Sequence, residues 1–350
     1  MSQGHPPWLI FKVGGFMDKN NTTITVKDER KQRGIIKWLR SGKGQKTLII
    51  ITFMTVPLLL LFVFTYLPFL KMFEFSLYNM KYIGPREYVG FKNYTEILKD
   101  KEVLNSLKLS IYYLIGSFVQ LAIALYFATM LSFKTKAGSV FKGAIFFPYL
   151  VSGIAVGFIF KFFYTRGFVL DTVLTWIGFD LDNLPYWLRD KNINNISLVA
   201  TSLWRYVGQN MVLFIGAIMS VDKELYESSS LDGANRWHQF RYIILPSIQT
   251  IVVLNLILSI TGSLSAFEPP FVITQGTRGT ATYFLVMHNL AHSNLQKVGK
   301  ASAMALILFG IIVLVTIGQK VLFNYLFSDA NADVSRKTTR MLKKYNKEGR

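Results

Sequence analysis

Residues 48–72 read Leu48-Ile49-Ile50-Ile51-Thr52-Phe53-Met54-Thr55-Val56-Pro57-Leu58-Leu59-Leu60-Leu61-Phe62-Val63-Phe64-Thr65-Tyr66-Leu67-Pro68-Phe69-Leu70-Lys71-Met72. The only charge in that run, Lys71, stands at its end. A helix rises about 1.5 Å per residue and the hydrocarbon core of a bilayer is about 30 Å thick, so roughly 20 apolar residues cross it. Lipid offers the backbone no hydrogen-bond partners, so a crossing segment must be helical. Five further stretches have this character, at about 107–131, 143–164, 197–220, 247–267 and 300–324. The period-two alternation of a membrane barrel is absent. The fold class expected is an all-α integral membrane protein with six transmembrane helices.

Composition agrees. Of 350 residues, 51% are hydrophobic and only 17% are charged, against about 25% charged in soluble domains. With no cysteine, disulfides, thiolate metal sites and cysteine nucleophiles are excluded. The four histidines, His5, His238, His288 and His292, form no zinc-binding helix motif. The first 47 residues carry no apolar run of the signal-peptide type, so the first spanning helix is expected to act as the insertion signal.

The net charge of +19 is a matter of topology. With the N-terminus inside, segments 1–47, 132–142, 221–246 and 325–350 hold 23 Lys and Arg, and segments 72–106, 165–196 and 268–298 hold 10. That asymmetry places both termini in the cytoplasm. It also accounts for the basic balance without nucleic acid. The organisation expected is a basic cytoplasmic extension at 1–47, a six-helix membrane domain at 48–325 and a basic cytoplasmic tail at 326–350. Loop 72–106 reads as a small extracytoplasmic subdomain with a helical turn or two around Asn93–Leu98, and Ile35–Leu39 as an amphipathic stretch on the inner surface.

The loop between the fourth and fifth helices is the most informative. It runs Glu224-Leu225-Tyr226-Glu227-Ser228-Ser229-Ser230-Leu231-Asp232-Gly233-Ala234 and on to Ile243-Ile244-Leu245-Pro246. Asp222 is placed to cap a short helix and Glu224 to complement its dipole. Gly233 supplies a positive φ that ends it. A second helix over Asn235–Leu245 presents Trp237, Phe240 and Ile244 on one side, and Pro246 suits the first turn of the next membrane helix.

This elbow resembles the EAA loop of ABC-importer permeases, E-A-A-x3-G-x9-I-x-L-P, with Glu227, Gly233, Ile243, Leu245 and Pro246 in place and Ser228 and Ser229 replacing the alanines. Leu225-Tyr226-Glu227 and Asp232-Gly233-Ala234 resemble the carbohydrate branch, of the maltose-transporter type. Weaker likenesses are Val89-Gly90-Phe91-Lys92-Asn93-Tyr94, Phe147-Pro148, Trp204 and Gly299-Lys300-Ala301-Ser302-Ala303. Together they cover most of residues 48–325.

The resemblance implies a permease subunit of an ATP-driven, binding-protein-dependent sugar importer in the cell membrane, not itself an enzyme. It implies a second homologous permease, expected to be a different chain, two cytoplasmic ATPase subunits carrying ATP and Mg, and an extracytoplasmic solute-binding protein. No cofactor is expected on this chain, since Gly42-Lys43-Gly44-Gln45-Lys46-Thr47 does not satisfy the phosphate-loop pattern. The coupling elbow would comprise Glu227, Ser228, Ser229, Asp232, Gly233, Ala234, Phe240, Leu245 and Pro246, with Glu227 meeting a basic or donor group on the ATPase. The alternative for the loop is an ordinary amphipathic segment packed on its own bundle.

Sugar recognition combines hydrogen-bonding side chains with aromatic platforms. Candidates are Ser202, Trp204, Arg205, Tyr206 and Gln209 on the fourth helix and Ser259 and Ser263 on the fifth. The maltose-transporter pattern also puts Gly262 and Ala266 at sugar-contacting positions. Arg205 is costly in a membrane helix. It either meets the solute or pairs with Glu268 or a partner subunit. Gln120, Tyr149 and Ser152 read as interhelical contacts, Lys71 and Lys161 as snorkelling cations, and Glu268-Pro269-Pro270 as the end of helix five. The competing function classes are a self-sufficient secondary transporter or channel and an ABC importer for a non-sugar solute.

Overall fold

The computed structural model describes residues 41–133, 137–294 and 296–348, with side chains of the last stretch to residue 323. Expectations for residues 1–40, the Ile35–Leu39 stretch among them, lie outside the described residues, as do those on the side chains of the basic tail. The chain divides into two units, Met1–Lys71 and Met72–Arg350.

In the first unit, α1 (Gly42–Leu61) starts at Ser41, whose Oγ accepts from the Gly44 N–H at 3.1 Å. The Gly42–Thr47 run is thus the opening of a helix. The helix opens into a π turn at Phe62–Tyr66 and resumes as α2 (Leu67–Ser76). That turn ends two residues before Pro68. Proline lacks the N–H for the carbonyl four residues back, and its ring crowds that carbonyl. A widened turn relieves the crowding. The same device recurs at Phe240–Ile244, two residues before Pro246.

In the second unit a two-stranded hairpin (β1, Tyr78–Asn79; β2, Glu87–Tyr88) precedes α3 (Lys92–Lys99). The helical turns expected around Asn93–Leu98 are α3. Asp100 caps the long α4 (Lys101–Ser132) through the Glu102 N–H at 3.1 Å. Then follow α5 (Gly138–Leu150), α6 (Gly153–Tyr164), α7 (Val169–Ile177) and α8 (Asn194–Met219). The elbow is built from α9 (Lys223–Leu231), α10 (Arg236–Gln239), the π turn and α11 (Leu245–Ser247). Last come α12 (Gln249–Leu264), α13 (Tyr283–His292) and α14 (Val298–Glu348).

The fold is mostly helical, and the apolar spans depart from the expected six in two ways. Among the described residues, three helices are long and apolar enough to cross alone: Gly42–Ser76, Lys101–Ser132 and Val298–Phe323. The stretch 143–164 is no continuous helix. Its α5 and α6 meet at 98°, because Val151 is extended and Ser152 caps α6 by accepting from the Ala155 N–H at 3.2 Å. The stretch at 247–267 enters through a 72° bend at Ile248 and ends at Leu264, ahead of Glu268. Helix α8, at 26 residues, is about 39 Å long at 1.5 Å per residue. It is long enough to cross, but one of its faces is polar.

Small residues set the packing. Fully buried Ala124 and Ala128 on α4 admit α8 closely, and Met211, Phe214 and Ile218 fill the layer beside them. A Cβ on Gly208 would overlap the Ile145 carbonyl and Phe146 of α5. A Cβ on Gly299 would overlap the Tyr78 carbonyl. Asn93 Nδ2 donates to the Ser76 and Tyr78 carbonyls at 2.8 and 3.0 Å, and Tyr94 Oη lies 2.7 Å from Ser76 Oγ. Two of the weak sequence likenesses, around Asn93 and Gly299, therefore converge on one joint.

Candidate functional site: a polar cavity and a helical elbow

A cavity of about 560 Å³ opens between α4, α8 and α12. Helix α8 contributes Ser202, Tyr206, Gln209, Asn210 and Leu213, spaced as one helical face. Helix α4 contributes Tyr113, Ser117 and Gln120 in the same rhythm, and α12 contributes Ser259, Gly262 and Ser263. Phe267, Glu268 and Phe284 close one side.

Serine hydroxyls here donate to their own helices. Ser117 Oγ reaches the Leu114 carbonyl at 2.7 Å and Ser263 Oγ the Ser259 carbonyl at 2.9 Å. That keeps each hydroxyl satisfied while its oxygen can still accept a hydrogen bond. The buried Tyr113 Oη has no hydrogen-bond partner among the described residues. Amides, hydroxyls and aromatic faces together suit a neutral polyhydroxylated ligand better than a compact ion.

Of the residues expected on this path, Ser202, Tyr206, Gln209, Ser259 and Ser263 line the cavity, as do Gly262 and Ala266. Two do not. Trp204 points away and packs edge-on against Phe160, with ring centroids 5.2 Å apart, because it lies off the 202–206–209 face. Arg205 is held by Glu268, to which its Nη1 donates, and by Tyr206 Oη at 3.1 Å. Within this chain Arg205 meets Glu268, one of the partners expected for it. Gly153 makes room for that pair, since a Cβ there would overlap the Glu268 carboxylate. Gln120 lines the cavity instead of serving as a plain interhelical contact. Tyr113 and Phe284 were not singled out by sequence; for Tyr113 the signal is its spacing with Ser117 and Gln120.

The elbow follows its expected chemistry closely. Asp222 Oδ1 accepts from the Glu224 N–H at 3.1 Å. Gly233 has φ +81°, and the Ala234 and Gly233 N–H groups return to the Ser229 and Ser230 carbonyls at 2.9 and 3.1 Å, a Schellman closure. Asn235 Oδ1 then caps the next helix through the His238 N–H at 2.9 Å.

Sequence reasoning missed Gln239. Its buried side-chain amide nitrogen lies 2.9 Å from Ser230 Oγ, 3.1 Å from Ser229 Oγ and 3.3 Å from the Tyr226 carbonyl. The expected Trp237–Phe240–Ile244 face is only part of the seat. Ile244 is buried, whereas Trp237 is largely exposed and stacks on Phe240. The elbow is tied to α4 at Phe133, whose ring meets Tyr226 edge-on at 5.6 Å and lies 5.8 Å from the Arg236 guanidinium. Ile244 and Ile248 enter the core with Met211 and Phe214. Glu227, Ser228, Asp232, Gly233, Leu245 and Pro246 face outward.

The profile of the family described as "binding-protein-dependent transport system inner membrane component" matches residues 40–324. The chain belongs to that family. Its relatives include the arabinooligosaccharides transport system permease protein AraP of Bacillus subtilis, 29% identical over 311 residues, covering 85% of this chain and 95% of that one. The probable starch degradation products permease AmyD of Thermoanaerobacterium thermosulfurigenes is 27% identical, covering 76% of this chain and 91% of that one. The multiple sugar-binding transport system permease MsmF of Streptococcus mutans is 28% identical, with 77% and 92% covered. A chain from the crystal structure of a bacterial ABC transporter involved in alginate import shares the fold, with TM-score 0.70 at 17% identity over 80% of this chain and 96% of that one. This inner membrane component spans nearly the whole length of the permeases it matches.

Proposed function

We propose that this chain is the transmembrane permease subunit of an ATP-driven, binding-protein-dependent importer that carries a sugar or oligosaccharide into the cytoplasm. The observation that carries the reading is continuity. Helix α8 lines the cavity at Ser202, Tyr206 and Gln209 and ends at Met219, just before the elbow at Asp222. The elbow leads through Pro246 into α12, which lines the opposite wall at Ser259 and Ser263. A force on the elbow therefore reaches both walls.

In this account six helices span the cell membrane, with both termini and the elbow in the cytoplasm. The outward-facing elbow residues, Glu227, Ser228 and Asp232 with the exposed Leu231, dock on a separate ATPase subunit that holds ATP and Mg. A second homologous permease, most simply a different chain, completes the pathway, and two ATPase subunits and an extracytoplasmic solute-binding protein complete the machine. Coupling of this kind needs an element that is rigid and anchored at both ends. The Gln239 and Phe133 contacts supply that rigidity. The sugar assignment is supported by the sugars for which the related permeases are named and by a lining without an unpaired charge. The test is ATP hydrolysis by the reconstituted complex, with its binding protein, against a panel of neutral and acidic oligosaccharides, amino acids and inorganic ions. Stimulation by a neutral oligosaccharide is expected. Stimulation only by amino acids or inorganic ions would assign the importer to another solute.

A further inference from the structure

Two other cavities share no lining residue with the one just described. The first, about 570 Å³, is lined by Lys161, Arg166, Arg189 and Arg278, with Tyr186 and Trp187 in its wall. The second, about 310 Å³, is a groove along Ile154, Phe158, Val272 and Leu285. Ile154, Phe158 and Lys161 recur at i, i+4 and i+7, so they share one face of α6. Lys161 and Gln275 line both cavities. A cationic chamber and an apolar groove thus run into each other at the end of a membrane helix.

Charge in the chamber is unbalanced. No carboxylate lines either cavity. The nearby Asp171 is buried and already engaged: it accepts from Trp187 Nε1 and the Gly167 N–H, each at 2.7 Å, with Arg166 Nε at 3.8 Å. Arg166 is further bound to the Leu184 carbonyl at 2.6 Å. The side chains of Lys161, Arg189 and Arg278 have no ion pair or hydrogen bond among the described residues.

Arg278 is also held in place at a conformational cost. Its backbone is left-handed, φ 56° and ψ 37°, as is that of Gln275 at φ 54°. Two buried amides fix the turn: Asn194 Nδ2 donates to the Arg278 carbonyl at 3.0 Å and Asn195 Nδ2 to the Gly279 carbonyl at 3.1 Å. Strain of this kind persists where the surroundings over-determine it, and it concentrates at binding sites.

We propose that these cavities form a binding site for an anionic phospholipid, its phosphodiester headgroup among Lys161, Arg189 and Arg278 and an acyl chain along Ile154 and Phe158. A soluble anion would have no use for the groove. A solute on its way to Tyr206 and Gln209 would need a wall in common with their cavity, and there is none. A molecule with a charged head and an apolar tail fills both spaces. The Tyr186 and Trp187 rings in the chamber wall have the amphipathic character that places aromatic side chains at headgroup depth.

The test is native mass spectrometry of the intact transport complex purified in micelles holding equal phosphatidylglycerol and phosphatidylcholine. Wild type is expected to retain phosphatidylglycerol preferentially. Lys161→Gln and Arg278→Gln are each expected to lower that retention about five-fold, and the pair of changes more than either alone. Lys297→Gln, an exposed cation outside both cavities, should change nothing. The charge-keeping Lys161→Arg, Arg278→Lys chain should retain the lipid, which separates lost charge from lost fold. Equal retention of the two lipids by wild type, or undiminished phosphatidylglycerol in the double Gln chain, overturns the proposal. So does weaker docking of the solute-binding protein with lipid unchanged, which would make the chamber a protein contact.

Discussion

The side-chain amide of Gln239 lies 2.9 Å from Ser230 Oγ, bridging the two helices of the elbow across the turn at Gly233. Ser229, standing where the family pattern has its second alanine, supplies part of this bridge, with its Oγ at 3.1 Å. Losing a buried hydrogen bond costs about 1 kcal/mol. Gln239→Leu is therefore expected to leave the complex assembled but to loosen the elbow, lowering solute uptake per ATP hydrolysed. Uptake and hydrolysis measured together on the same liposomes check this. An unchanged ratio would remove the bridge from the coupling path.

Gly233 tests the turn itself. With φ +81° and nothing within 4 Å of an added Cβ, any loss on substitution comes from backbone strain and not from a clash. Left-handed backbone costs an ordinary residue about 1–2 kcal/mol, and Asn tolerates it best after Gly. Transport should fall little with Gly233→Asn and much more with Gly233→Val. Uptake rates normalised to assembled complex are the measurement.

How much of this was legible follows from the kind of signal involved. The elbow could be read closely because its caps are local: Asp222, Gly233 and Asn235 each act within a few residues. The cavity face of α8 was legible in part: Ser202, Tyr206 and Gln209 recur at i, i+4 and i+7 and line the cavity, whereas Trp204, expected with them, packs on Phe160. Gln239 was hidden because a buried amide is recognised by its partners on another helix, not by its spacing. The break between α5 and α6 was hidden for a similar reason: Val151-Ser152 sits inside an apolar run, and only the Ser152 cap reveals the bend.

Arg205 and Glu268 are expected to behave as a pair. Breaking a buried pair costs about 3–5 kcal/mol, but Glu268 is 39% exposed, so a loss of about 1–2 kcal/mol is the reasonable expectation for Arg205→Met after solvent screening. The double change with Glu268→Gln should cost less than the sum of the singles. Thermal unfolding of the four chains of the cycle measures it. Solute affinity should move with Tyr206→Ala and Gln209→Ala, which line the cavity, more than with Arg205→Met.

The joint between α4 and α14 carries a pH signature. Lys300 Nζ lies 3.2 Å from Asp100 Oδ2. Partial burial pushes the Asp100 carboxyl up, but the Lys300 hydrogen bond and charge and the Glu102 and Val103 N–H groups outweigh it, so its pKa lies below the ordinary 3.8. A lowered folded-state value means stabilisation that is present above 3.8 and lost as pH falls through the lowered value. Lys300→Gln should therefore cost up to about 1 kcal/mol at neutral pH and flatten the acid dependence. Melting temperatures of both chains across the acid range check the sign.

Gly299 should tolerate no side chain, because its Cβ would overlap the Tyr78 carbonyl. Overpacking of this kind costs about 1–3 kcal/mol. Gly299→Ala is expected to lower the yield of folded chain, whereas Gly310→Ala on the same helix, with nothing within 4 Å, should be neutral. Detergent-solubilised yield and melting temperature compare the two.

The central claim is that this chain is the membrane half of an ATP-driven machine engaged through its elbow. Purification of the tagged chain from its native membranes, followed by mass spectrometry of what accompanies it, tests that most directly when wild type is set beside Gly233→Pro. The account predicts an ATPase subunit and a second permease with wild type, and loss of the ATPase with Gly233→Pro. A wild-type chain recovered intact and alone would contradict it.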